Sequence, residues 1–96
     1  MSAFFVATSR IKDPDKYTEY GAKAGATFAA FGGKLVVRGK VDETLAGASD
    51  HQTVAVVRFP DTAAIKAWYQ SPDYQALIPL RDEAVDMTLV TYEEPV

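Results

Sequence analysis

The sequence has no cysteine, one histidine and one tryptophan among its 96 residues. The missing thiol excludes disulfides, thiolate nucleophiles and zinc–sulfur sites. A single histidine beside no cysteine leaves too few soft donors for a dedicated transition-metal centre, so no metal is expected. Runs of like charge are also missing: 10 Lys and Arg are scattered against 13 Asp and Glu, for a net charge of −3. That balance lacks the basic footprint of a nucleic-acid-binding surface. No stretch approaches the ~18 apolar residues of a membrane span. The opening MSAFFVATSR has no basic segment ahead of its short apolar stretch, so it does not read as a signal peptide. There is no phosphate loop, nucleophile elbow or paired set of glycosidase acids. These absences leave a cytoplasmic protein with no nucleic-acid partner, no membrane partner and no bound cofactor as the expectation.

What is present is the patterning of an ordinary water-soluble chain, with 48% hydrophobic and 24% charged residues. The length corresponds to one domain spanning residues 1–96. An apolar run at Ala3–Ala7 predicts a strand reaching about Ile11. Asp13-Pro14 then supplies a helix cap and a first-turn proline. Tyr17, Tyr20, Ala24, Phe28 and Phe31 follow at spacings of three and four, one apolar stripe on a helix. Gly32-Gly33 stops it. Leu35–Val41 predicts a second strand, Asp42–Asp50 a polar loop, and Thr53–Phe59 a third strand ended by Pro60. Asp61 caps a helix carrying Ala64, Ile65 and Trp68 inward. Ser71-Pro72 restarts that helix with Tyr74, Leu77, Ile78 and Arg81 as neighbours. Ala84–Glu93 predicts a fourth strand, followed by a short tail.

The order β-α-β-β-α-β defines an α+β, ferredoxin-like fold: a four-stranded antiparallel sheet with helices on one face. The first and third strands are apolar on both faces, whereas helices cover only one. The uncovered face is expected to pack against a second copy of the chain, giving a two-fold homodimer.

FGGKLVVRG (31–39), RFPDTAAIKAWYQSPDYQALIPLR (58–81) and DPDKYTEY (13–20) together resemble the family known as domain of unknown function 1330, in the dimeric α/β barrel superfamily. The resemblance covers nearly the whole chain. It implies a ferredoxin-like subunit whose sheet pairs with its partner's to form a barrel, and it implies no activity. Superfamily relatives include cofactor-free monooxygenases, isomerases and haem enzymes, which are analogies of fold only. The chain departs from the family pattern at Leu45-Ala46-Gly47, where Ala46 stands in place of an acid.

Candidate site residues divide between binding and structural readings. A hairpin centred near Ala46 would put Arg38 and Arg58 on one face with Val36, Val54 and Val56, away from the helices. There the two guanidiniums either grip a carboxylate or phosphate or pair with acids such as Asp86. A register shifted by one residue would separate them. His51, beside Asp50, is the weak candidate for a general base, though adjacent strand residues point to opposite faces. Gly21 and Gly25 weaken the first helix. They make room either for a ligand or for close helix–sheet contact. Tyr20, Tyr69, Tyr74 and Arg81 are candidates to orient a ligand, while Trp68 reads as core. Two functions stay open: a homodimer binding a small anionic or polar-aromatic molecule, with cofactor-free chemistry of the monooxygenase or isomerase type within its scope, or a non-enzymatic structural or regulatory dimer.

Overall fold

The computed structural model describes residues 1–95; Val96, the end of the expected tail, lies outside them. Strand β1 (Ala3–Ile11) alternates strictly, with Ala3, Phe5, Ala7 and Ser9 buried and the residues between them half-exposed. Helix α1 (Pro14–Ala29) begins where the Asp13 carboxylate accepts the Lys16 N–H at 3.1 Å, with Pro14 in the first turn. It ends in a tight reversal: Gly32 takes φ 82° and the Gly33 N–H returns to the Phe28 carbonyl at 2.9 Å. The next elements are β2 (Lys34–Lys40), β3 (Thr53–Phe59) and α2 (Thr62–Gln70), the last capped by Asp61 on the Ala64 N–H.

The restart at Ser71-Pro72 forms as expected, with the Ser71 hydroxyl accepting the Tyr74 N–H. It yields two short helices rather than one, α3 (Pro72–Gln75) and α4 (Ile78–Ala84). Pro79 has no N–H to return to Gln75, so the helix cannot run continuously through that turn. Strand β4 (Val85–Glu93) then starts one residue later than the pattern suggested.

The four strands form one antiparallel sheet in the order β2-β3-β1-β4, the ferredoxin-like arrangement. Odd-numbered residues of β1, β3 and β4 share the face that packs on the helices. Phe5, Val57 and Phe59 meet Tyr20, Ile65, Trp68 and Tyr74 there. The opposite face carries Phe4, Val6, Val56, Val90 and Tyr92, with Phe4 and Tyr92 stacked at 5.1 Å.

The register of β2 differs from the expected one. Lys34 pairs with Arg58 and Leu35 with Val57, but beyond a bulge at Val36 the pairs become Val37 with Val56 and Arg38 with Ala55. The extra residue exchanges the faces of everything that follows it. Arg38 therefore joins the helix-facing side, and Arg58 stays on the other.

Gly33 is held by contact. A β-carbon there would stand 2.8 Å from the Phe59 ring and 2.9 Å from the Phe28 carbonyl oxygen. Gly33→Ala is accordingly expected to lose about 1–3 kcal/mol of stability in urea unfolding; an unchanged midpoint would contradict this packing.

Candidate functional site

Helix α1 crosses the sheet with Gly21 exposed and Gly25 half-buried at the rim of the space between helix and sheet, and neither glycine is filling a close contact. A β-carbon built at either position meets no atom within 4 Å. The geometry shows no close helix–sheet contact at either glycine. The space beneath them is a cavity of about 200 Å³ between α1 and the sheet. Its apolar end is formed by Phe5, Phe28, Leu35, Val57 and Trp68. Its polar end holds Ser9, Tyr17, Thr53 and Arg38, where the Tyr17 hydroxyl lies 3.4 Å from that of Thr53. From that end an open groove continues past Thr18, Ala22 and Gly39.

Among the described residues, Arg38 is the one charged residue around the cavity and its adjoining groove. It sits exposed at the mouth and forms no hydrogen bond or ion pair among the described residues. Ser9, by contrast, is only 2% exposed. It lines the cavity from β1. Sequence reasoning passed over Ser9. The available signal was a polar residue at the fourth inward position of an otherwise apolar strand.

The other candidates lie elsewhere. Arg58 does not converge with Arg38: it is on the opposite face, held to Glu94 at 2.6 Å. The bulge at Val36 separates the two. His51 also belongs to that opposite face, where its Nδ1 is 2.7 Å from the Thr8 hydroxyl. It does not line the cavity.

Tyr20, Tyr69, Tyr74 and Arg81 are brought together, but chiefly with one another. The Tyr20 and Tyr74 hydroxyls are 2.8 Å apart, and Arg81 donates to both Tyr74 and Tyr69 at 3.2 Å. Only Tyr20 of the four lines the cavity; Tyr74 is fully buried. Burial, and then the neighbouring Tyr74, pushes the Tyr20 phenol far above the ordinary tyrosine range. Burial alone would pull the Arg81 guanidinium down, but its hydrogen bonds to Tyr69 and Tyr74 outweigh that and raise it. The group is a satisfied neutral-plus-cation cluster tying α1 to α3 and α4.

The fold and this pocket define a ferredoxin-like α+β protein with an internal cavity under its first helix. The chain belongs to the family described as Domain of unknown function (DUF1330), whose model matches residues 2–95. Its structure is similar to that of a protein of unknown function from Rhodopseudomonas palustris (25% identity, 99% of this chain and 83% of that one, TM-score 0.83). It is also similar to SnoaB, a cofactor-independent oxygenase from Streptomyces nogalater (16% identity, 99% and 94% covered, TM-score 0.73). A dimeric ferredoxin-like protein of unknown function from Jannaschia sp. CCS1 shares 12% identity over 98% of this chain and all of its own, with a TM-score of 0.75. No curated protein matches the sequence.

The displaced Tyr20 ionisation has a measurable consequence. Unfolded tyrosine loses its proton near pH 10, whereas the buried phenol keeps it. The native state then binds more protons, so the contribution is complete below about pH 10 and is lost as pH rises above it. Stability in urea is expected to fall above that pH by up to about 1.4 kcal/mol per pH unit from this group, and Tyr20→Phe is expected to flatten the fall. Parallel pH profiles for the two proteins would contradict the burial of an un-ionised Tyr20.

Proposed function

We propose that this protein is a homodimer in which each subunit binds a small anionic or polar-aromatic molecule between α1 and the sheet. The observation that carries the binding reading is the space under Gly21 and Gly25. A glycine in a helix interior costs roughly 1 kcal/mol relative to alanine, and here two glycines leave a void instead of closing one. The void is apolar at one end with a few convergent polar groups at the other, the usual composition of a small-molecule site. Supporting roles are Arg38 as the anchor at the mouth and Tyr20 as part of the wall. Tyr69, Tyr74 and Arg81 act by holding Tyr20 in place, and Arg58 and His51 belong to the opposite, subunit-pairing face.

The dimer reading rests on that opposite face. Phe4, Val6, Val56, Val90 and Tyr92 form an apolar surface, with Val90 and Tyr92 40% and 47% exposed in the isolated chain. Structural relatives of this fold are themselves dimeric ferredoxin-like proteins. A second copy would cover the patch, while ion pairs such as Arg10 with Asp86 and Arg58 with Glu94 stand at its ends. The likeness to a cofactor-independent oxygenase favours a further reading, that the bound molecule is oxidised by dioxygen without a cofactor.

Three measurements test this. Light scattering at micromolar concentration is expected to give twice the chain mass of 10.4 kDa, and Val6→Glu half of that value; a monomeric wild type would refute the dimer. Gly21→Ala and Gly25→Ala are each expected to stabilise the fold by about 1 kcal/mol, because the added methyl enters open space. Destabilisation would mean that the helix already sits against the sheet. Oxygen uptake in the presence of a molecule that raises the melting temperature would support the oxygenase reading, and its absence would leave a binding protein.

A further inference from the structure

The cavity under α1 is asymmetric in charge, in polarity and in access, and those asymmetries narrow what can occupy it. This step rests on the cavity reading above. We infer that the ligand is a small carboxylic acid built on a single ring, with its carboxylate at Arg38, its ring against Phe5 and Trp68, and a hydrogen-bonding group at Ser9.

Size comes first. An apolar cavity of about 150 Å³ accommodates benzene, and this one holds about 200 Å³. One substituted ring fits; a fused multi-ring skeleton does not fit without opening the helix. The floor suits a flat ring: Phe5 and Trp68 are stacked at 5.0 Å with 15° between their planes, and Phe28 stands edge-on to Phe5 at 77°.

Charge comes second. The chain carries a net charge of −3, yet among the described residues no acidic side chain lines either the cavity or the groove at its mouth. Arg38 therefore has no competitor for an incoming anion and offers the two-pronged geometry that a carboxylate matches. Its place at the mouth matters as well. A charge driven to the apolar end would lose its hydration with nothing to replace it. A carboxylate at Arg38 keeps contact with water while the hydrocarbon goes inward.

Ser9 supplies the second point. It lies on β1, and Arg38 lies two strands away on the edge strand β2. Adjacent strands are ~4.8 Å apart, so the two positions are separated by roughly 10 Å across the sheet. Ser9 is buried and lines the cavity, and a serine hydroxyl can donate one hydrogen bond and accept two. A polar atom on the ring side distant from the carboxylate would take one of those bonds. The bulge at Val36 makes the two-point arrangement, because an unbulged β2 would turn Arg38 to the other face of the sheet.

The test is calorimetric titration of the full chain with benzyl alcohol, benzoate and 4-hydroxybenzoate at neutral pH, on wild type, Arg38→Met, Ser9→Ala and Gly21→Leu. Benzoate is expected to bind about tenfold or more tighter than benzyl alcohol, with that preference absent in Arg38→Met. The 4-hydroxyl is expected to add a few-fold more affinity, lost in Ser9→Ala, and Gly21→Leu is expected to remove all binding. Equal affinity for benzoate and benzyl alcohol, both lost in Gly21→Leu, would overturn the acid while the cavity stands. A 4-hydroxyl without effect in wild type would overturn the role of Ser9. No binding by wild type, or benzoate binding that survives Gly21→Leu, would overturn the inference and the cavity reading together.

Discussion

Trp68 is the contact on which the rest of the architecture depends. Its ring lies flat on Phe5 of the central strand, tilts against Phe59 and Tyr74 at 5.8 and 4.3 Å, and meets Tyr69 edge-on. Its indole N–H reaches across to the Thr27 hydroxyl of α1 at 3.0 Å. One side chain thus joins the sheet, the first helix and the broken second helical region. It is also the largest buried residue, at 1% exposure. Aromatic contacts of this kind add about 0.5–1.5 kcal/mol each beyond the area they bury. In a chain this small, with no cysteine to form a disulfide, such a cluster must supply much of the stability.

That joint also sets the spacing of α1. A helix held by Phe28 on Phe5 and by Thr27 on Trp68 at one end does not also lie flush on the small residues Ala7, Ser9 and Ala55 near the other. Bulky side chains at the helix positions above those residues would close the gap; Gly21 and Gly25 leave it open. The satisfied cluster of Tyr20, Tyr74, Arg81 and Tyr69 fixes the helix laterally, so that the gap is not closed by a shift of the helix. The cavity is therefore maintained by packing around it, at a cost in helix propensity.

Most of the fold was legible because its signals are local. Asp13-Pro14, Asp61 and Ser71-Pro72 are caps whose chemistry lies within four residues, and the apolar runs of β1 and β3 are read directly from the chain. The division of α3 from α4 was also written locally, in Pro79, but was read as a continuation because the apolar spacing persists through it. The pocket was legible only in part. Gly21 and Gly25 marked the place, yet whether they serve contact or space depends on atoms supplied by other strands. The pairing of Arg38 with Arg58 failed for a sharper reason. A bulge is a tertiary choice made by two strands together, and Leu35-Val36-Val37 is three apolar residues with no break in pattern to reveal it. Ser9 was hidden because one serine at a strand end ordinarily reads as the start of the solvent.

The central claim is that a persistent cavity lies between α1 and the sheet. Xenon enters apolar cavities of this kind without any specific chemistry, so a crystal pressurised with xenon tests the claim before any ligand is known. One ordered xenon site bounded by Gly21, Gly25, Phe5 and Trp68 is the result the account predicts. No xenon there, with the helix backbone resting directly on Phe5 and Ala55, would contradict it.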